Sequence, residues 1–446
     1  MKYSLSPLNH IFNTLEGETI LFSGLTNSFF SITNNLQEKL NEFKKETNIF
    51  TKNELKILSE KGILIERPWK QIEADLKKRS IQNMSKQCLF ITVLPTFSCN
   101  FNCPYCYEKK HIKNERMDKT IIDKILNLIE SHKKEYTIDW YGGEPTLSLD
   151  LLQYFYSEAE KRQLINRHSL LISNGSIMNI ELLDILQEHI SELQITIDGP
   201  KQIHDFRRIY KDGRGSFDKI ISNLDKIFLE IKKGKLPNLE VIIRCNIDKN
   251  NADYFMEFRE FIINRYENYY RIDCFYVNDC GADDYESNTF SRKDYSNYIY
   301  NLFVNHGVMV EPYLPGDGKL KYKFCGAESI NSYVFDPAGN IFKCCLDSGM
   351  EDRIIGNVNN PENIYKNGVE TAYILSTTEF FDKDCSNCPL LLMCWGGCPH
   401  SRLYNDMKKY CFFSIFNLDK MLELRYLHEK YNKQYKKYLI NYFQKM

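Results

Sequence analysis

From Gln87 to about Val277 the chain alternates short apolar, β-branched runs with longer stretches in which apolar positions recur every three or four residues. The first pattern reads as buried strands and the second as amphipathic helices, so the segment predicts repeated strand–helix units. The strands fall near 88–95, 136–141, 168–173, 192–197, 239–246 and 270–277. Six such units predict an α/β fold, a full or partial TIM-like (β/α)6 barrel, with its chemistry at the C-terminal ends of the strands.

Residues 1–80 follow a different pattern. "ETILFSGLTNSFFSIT" holds two β-prone runs around a Gly24–Asn27 turn, and Leu36, Leu40 and Phe43 share one helical face. Thr51 and Glu54 have capping-box spacing, Gly62 supplies a stop, and a short strand follows. The order predicts a winged-helix-like module, and a plain packing extension fits the same pattern. After about residue 310 periodicity falls and cysteine density rises, which predicts small metal-held structure. The tail from Asn417 reads as a Tyr/Lys-rich packing helix. The expected segments are therefore 1–80, 87–310, 311–416 and 417–446.

With 446 residues, 43% of them hydrophobic, the chain has room for more than one core. Lys+Arg number 58 against Asp+Glu 59, a net charge of -1, so nothing global argues for nucleic acid or an anionic membrane, and neither is expected as a partner. No stretch approaches the roughly 20 apolar residues of a spanning helix. The start, "MKYSLSPLNHIFNTLEGETI", lacks the pattern of a secretory signal, so a cytoplasmic, reducing location is expected. Fifteen cysteines in such a compartment suggest metal rather than disulfides, and nine scattered histidines leave sulfur as the main ligand.

In "TFSCNFNCPYCYEKK", Cys99, Cys103 and Cys106 form C-x3-C-x2-C on the loop after the first predicted strand. Zinc would want a fourth ligand, and the nearest, His111, closes an irregular set. Three thiolates on a four-iron cube leave one iron open. The spacing resembles the radical S-adenosylmethionine (radical SAM) family, with Tyr105 in the family's aromatic position. The resemblance implies a 4Fe-4S cluster whose open iron binds the amino and carboxylate groups of SAM. An electron then cleaves SAM to methionine and a 5′-deoxyadenosyl radical. It also implies that Gly142, Gly143 and Glu144 of "WYGGEPTL" meet the SAM ammonium, that Ser173 and Asn174 of "LISNGS" meet the ribose, and that Arg208 of "TIDGPKQIHDFRR" meets the carboxylate. Asn246, ending the fifth predicted strand, is a further candidate for which a structural role is equally open.

A second cysteine field resembles the SPASM domain: Cys325, Gly339-x4-Cys344, "CSNCPLLLMCWGGC" with Cys385, Cys388, Cys394 and Cys398, then Cys411. The resemblance implies two auxiliary 4Fe-4S clusters, three clusters in all. Cys385, Cys388, Cys394 and Cys411 would hold the outer one, and Cys325, Cys344 and Cys398 the inner one. The inner set is one ligand short, because Asn331 stands where some family members have cysteine. Either Cys345 completes the cube or an open iron takes a substrate thiolate, and the open site is preferred because adjacent cysteines point apart. Cys345 is the single candidate for a catalytic side chain. Cys88, Cys245, Cys274 and Cys280 fit no cluster spacing and read as small buried hydrophobes.

SPASM-bearing relatives mostly modify peptides or proteins. Sulfatase maturases carry an aspartate base after the cysteine equivalent to Cys344, where this chain has Cys345. Residues 1–80 resemble the recognition element of peptide maturases, which pairs a strand edge with a leader peptide. The expected function is a radical SAM oxidoreductase that installs an intramolecular crosslink in a ribosomally made precursor peptide (a RiPP), with a Cys thioether preferred. Carbon–carbon or carbon–oxygen crosslinking, epimerisation and sulfatase-type maturation are the alternatives, and a non-catalytic iron–sulfur scaffold is the reading from another class. The expected partners are the precursor peptide, bound through its leader, and an external electron donor such as flavodoxin or ferredoxin.

Overall fold

The computed structural model describes residues 3–43, 49–84, 88–111, 115–132, 134–266, 270–277, 285–310, 314–315, 319–321, 325–360, 368–379, 383–404 and 411–431. They fall into two compact units, one of 1–86, 291–330 and 373–446 and the other of 87–290 and 331–372. Cys280, the side chain of His111 and residues 432–446 lie outside the described residues.

In the first unit, β1 (Ser4–Leu5) pairs antiparallel with β5 (Leu64–Ile65), and β2 (Asn9–Asn13), β3 (Thr19–Ser23) and β4 (Ser28–Ser31) form an antiparallel sheet. Asn27 takes a left-handed φ of 58° in the β3–β4 turn, where asparagine is among the better tolerated residues. The helix Lys52–Glu60 opens with the expected capping box: Thr51 Oγ1 accepts from the Glu54 N–H at 3.2 Å, and Glu54 Oε2 accepts from the Thr51 N–H at 2.6 Å. Leu21, Ile32, Leu40, Phe43, Phe50, Leu58 and Leu64 share one core, so the helices Asn34–Glu42 and Lys52–Glu60 bury their apolar faces against β3 and β5. The expected tail helix spans Leu418–Tyr431 and packs on this sheet, Tyr426 against Phe29 at 5.8 Å between ring centres. A long helix at Trp69–Met84 is additional to the sequence reading.

In the second unit the six predicted strands are β6 (Leu89–Val93), β7 (Glu135–Trp140), β8 (Ile165–Ser173), β9 (Glu192–Thr196), β10 (Glu240–Ile247) and β11 (Tyr270–Tyr276), parallel and adjacent in chain order. Helices Lys119–Ser131, Leu149–Lys161, Ile180–Glu188, Phe217–Lys232 and Phe255–Tyr266 alternate with them. This is the parallel α/β sheet that the alternating pattern predicted. On β7 the alternation is plain: Tyr136, Ile138 and Trp140 are buried, while Thr137 and Asp139 are partly covered on the opposite face. Cys245 and Cys274 are register partners on β10 and β11 and both are buried, whereas Cys88 is only partly buried.

Beyond the six strands, β12 (Ser332–Phe335) adds in parallel to the free edge of β6, and β13 (Asn340–Phe342) and β14 (Gly356–Asn357) extend the sheet antiparallel. Runs of two to four residues are too short to show a period. No helix among the described residues is long and apolar enough to cross a membrane.

Candidate active site

At the C-terminal ends of the parallel strands lies a cavity of about 520 Å³, within the usual range for a small-molecule site. The loop after β6 contributes Cys99, Cys103, Tyr105 and Cys106; the turn after β7, Gly142, Gly143 and Glu144; the end of β8, Ser173 and Asn174; the segment after β9, Arg208; and β10, Asn246. Every residue that the sequence suggested for this site therefore lines one cavity.

Close backbone contact holds the cysteine loop against the end of β7. The Gly143 and Glu144 N–H groups donate to Thr96 O at 3.1 Å and Ser98 O at 2.9 Å. A Cβ on Gly143 would stand 2.3 Å from Ser98 O, so no larger residue fits without moving the loop. Glu144 is fully enclosed. Its Oε1 accepts from Thr146 and from Ser173 Oγ at 2.8 Å, and its Oε2 accepts from the Asn174 N–H at 2.7 Å. It thereby bolts the end of β7 to the end of β8, leaving Oε2 room for one more donor. Asn174 Nδ2 donates to Asn100 Oδ1 at 2.7 Å and lies 3.8 Å from Cys99 Sγ.

Burial pushes the Cys99 and Cys106 thiols up to about 12, with Glu144 adding to the first and Glu108 to the second. Cys103 is raised by burial and opposed by the Arg208 charge. Thiolates here need a positive partner, which a metal supplies. Among the described residues no three His, Cys, Asp or Glu side chains converge on a single ion position. A polynuclear cluster asks something different, one thiolate on each iron. Two buried polar atoms at the cavity lack a partner, Arg208 Nε and Glu108 Oε1. One donor and one acceptor beside three thiols fit a ligand carrying both a carboxylate and an ammonium, as SAM does. The residues present thus fit the cluster and cofactor that the sequence resemblance implies.

The sequence reading missed Asp198, which is fully buried. Tyr105 donates its hydroxyl to Asp198, and Arg208 Nη1 donates to the same Tyr105 oxygen at 2.7 Å. Asp198 also accepts from the Asn246 N–H at 3.1 Å and lies 3.5 Å from Arg207 Nε, while Arg207 is paired with Asp248. Tyr105 is thus a strut between the cysteine loop and the ends of β9 and β10. Tyr107, Glu108, Tyr141, Gln194, Thr196, Arg244 and Phe275 also line the cavity unforeseen. The available signal was a lone arginine among the apolar residues of "VIIRC". Glu108 has its carboxyl pushed up to about 7 by burial. Cys345 packs against Leu94, Phe97, Val334 and Phe342, its thiol pushed up to about 12 by burial with Asp139 and Glu108 adding.

In the first unit, Cys385, Cys388, Cys394 and Cys411 line a second cavity of about 170 Å³ walled by Pro389, Leu390, Leu391, Phe412 and Ile415. The chain reverses beside it through left-handed Trp395, Gly396 and Gly397 at φ 48°, 84° and 83°. Burial pushes Cys394 up to about 12, with Cys388 adding. Four cysteines around one small apolar cavity fit a fully ligated cluster. Cys325 and Cys398 belong to the first unit and Cys344 to the second.

The Radical SAM superfamily model matches residues 93–262. The radical SAM cyclopropyl synthase TigE of Paramaledivibacter caminithermalis is 22% identical over 427 residues, 85% of each chain. A cysteine-type anaerobic sulfatase-maturating enzyme of Clostridium perfringens is 24% identical over 387 residues, 77% of this chain and 94% of its own. The solved structure of anSMEcpe with bound AdoMet and the Cp18Cys peptide superposes with a TM-score of 0.60 at 18% identity, covering 81% of this chain and all of that one. The cysteine loop, the strand-end motifs and these likenesses agree: the chain carries a radical SAM domain over residues 93–262, and among its relatives are a radical SAM cyclopropyl synthase and anaerobic sulfatase-maturating enzymes.

Proposed function

We propose that the protein is a peptide maturase that oxidatively crosslinks a ribosomally made precursor peptide, with a thioether from a Cys sulfur to a carbon as the preferred product. The observation that carries this reading is the single cavity in which three thiols, the orphaned Arg208 Nε and the orphaned Glu108 Oε1 meet. A bound cluster and SAM would supply a 5′-deoxyadenosyl radical able to take hydrogen from unactivated carbon. The chain's part is to hold and shield. Cys99, Cys103 and Cys106 would ligate the cluster, Arg208 and the Gly142–Glu144 turn would receive the two charged ends of SAM, and Ser173, Asn174 and Asn246 would line its remaining length. Tyr107, Tyr141 and Phe275 close the wall with aromatic surface.

Segment 1–80 is proposed as the leader-binding module, 311–416 as a SPASM domain with two auxiliary clusters, and a flavodoxin or ferredoxin as the electron source. The β2–β3–β4 sheet, with β4 paired on one side only among the described residues, supports strand addition by a leader. Cys345 standing where sulfatase maturases carry an aspartate argues against their reaction, although such an enzyme is among the relatives. TigE, by its name a cyclopropyl synthase, favours a second reading in which the new bond joins two carbons.

The test uses anaerobically reconstituted, reduced enzyme with SAM and the peptide encoded beside its gene. The expected result is 5′-deoxyadenosine and a peptide two mass units lighter. Loss of one alkylatable thiol identifies the thioether, and an unchanged thiol count identifies a carbon–carbon or carbon–oxygen link. Unchanged mass with solvent deuterium incorporated would overturn crosslinking in favour of epimerisation. A Cys99→Ala variant that still cleaves SAM would overturn the radical SAM site itself.

A further inference from the structure

Two cations stand on the cavity wall, and their surroundings differ. Arg208 is tied to Tyr105, and its charge bears on Cys99 and Cys103, so it serves the thiol end. Arg244 projects from β10, in register with Thr196 on β9 and Asp273 on β11, and is not among the charges that bear most on the three thiols. Its guanidinium carbon lies 4.9 Å from the centre of the Phe275 ring, and its Nε donates to Asn246 Oδ1 at 3.2 Å. The acid next to it, Asp273, is taken by Arg271 at 3.0 Å. Among the described residues no carboxylate forms an ion pair with Arg244.

The two contacts fix the plane of the guanidinium and leave its Nη groups uncommitted at the cavity. Such a fork matches the two oxygens of a carboxylate. A partly covered cation with no counter-charge among the described residues is costly between the buried Ile243 and Cys245, so a ligand that supplies the charge is the economical explanation. The amino and carboxylate groups of SAM have to reach iron held by Cys99, Cys103 and Cys106, which places them with Arg208 and leaves Arg244 to another anion.

We infer that Arg244 is a specificity-determining residue that anchors a carboxylate of the substrate peptide, from an acidic side chain or the C-terminus. The inference rests on the peptide-maturase reading and names the chemistry its substrate must carry close to the reacting carbon.

The test uses clustered holoenzyme saturated with SAM and three pools of random octapeptides. One is capped at both ends with a fixed central Glu, one is capped with a fixed central Gln, and one carries Gln and a free C-terminus. Retention in equilibrium dialysis is read for the wild type, Arg244→Gln and Arg244→Lys, alongside the SAM dissociation constant. One or both carboxylate-bearing pools should be held at least about tenfold better than the capped Gln pool, the factor of a charge-assisted hydrogen bond. Arg244→Gln should erase that preference and Arg244→Lys keep part of it, with SAM affinity unchanged in both. The enriched pool tells a side-chain from a terminal carboxylate. Equal retention of all pools by the wild type, or a preference that survives in Arg244→Gln, would overturn the assignment. A tenfold loss of SAM affinity in Arg244→Gln would also overturn it, by placing the arginine on the cofactor. Failure of the wild type to cleave SAM would defeat the functional reading, and the dialysis result would still stand.

Discussion

Asp139 shows how a single side chain carries a pH signature. It sits on the partly covered face of β7 between Thr92 and Leu170, and burial, reinforced by Glu192, pushes its carboxyl up to about 7. Below the ordinary carboxylate range, folded and unfolded chains both hold the proton, and this group makes no pH dependence. Between that range and about 7 only the folded chain keeps it, so stability falls as pH rises, then levels off above 7. Asp139→Asn removes this loss and should raise stability at pH 7.5 by on the order of a few kcal/mol, with little effect near pH 4. Apparent unfolding midpoints at pH 5 and pH 7.5 check it. An identical pH response in variant and wild type would reject the buried proton. At this scale the sequence was informative where chemistry is bound to spacing, as for Cys99, Cys103 and Cys106. It was silent where a residue acts through a distant neighbour. Asp198 matters because it holds Tyr105, 93 positions away, and no local pattern encodes that.

At the scale of elements, the chemistry depends on how tightly the β7 end grips the cysteine loop. Gly143 permits that grip, since a Cβ would meet the Ser98 and Phe97 carbonyls at 2.3 and 2.5 Å. Both are backbone atoms and cannot swing aside as a side chain would. Gly143→Ala should therefore displace the loop, cut the iron bound at this site severely and abolish SAM cleavage, while the secondary structure stays. Iron content, electron paramagnetic resonance of the reduced protein and circular dichroism check the three parts, and full iron content in the variant would defeat the argument. The six parallel strands were legible because each is a run of five to nine residues bounded by helical periodicity. Strands β12 to β14 were not. Their two to four residues acquire strand character from their neighbours, β12 from the open edge of β6, β13 from β12 and β14 from β13, which a linear pattern does not contain.

Across the whole molecule, two cysteine sites are built in two separate units, each from its own stretches of chain. That separation predicts independent loading. Cys388→Ser should lower iron by about four atoms per chain if it empties one cube. The variant should keep SAM cleavage in the absence of peptide and lose conversion of the peptide. Loss of both activities together would show that the two sites depend on each other. The sequence by itself determined the family resemblance, the positions of the six parallel strands and the cysteine spacings, because these are local patterns that survive without knowledge of packing. Only the tertiary structure decided that Glu144 is a bolt between strands, that Tyr105 leans on Asp198, that β12 extends the sheet, and that Arg244 lines the cavity with no counter-charge among the described residues. The physical reason is common to all four. Burial, hydrogen-bond satisfaction and charge compensation depend on which distant residues a fold brings within a few ångströms, and spacing along the chain records none of those distances.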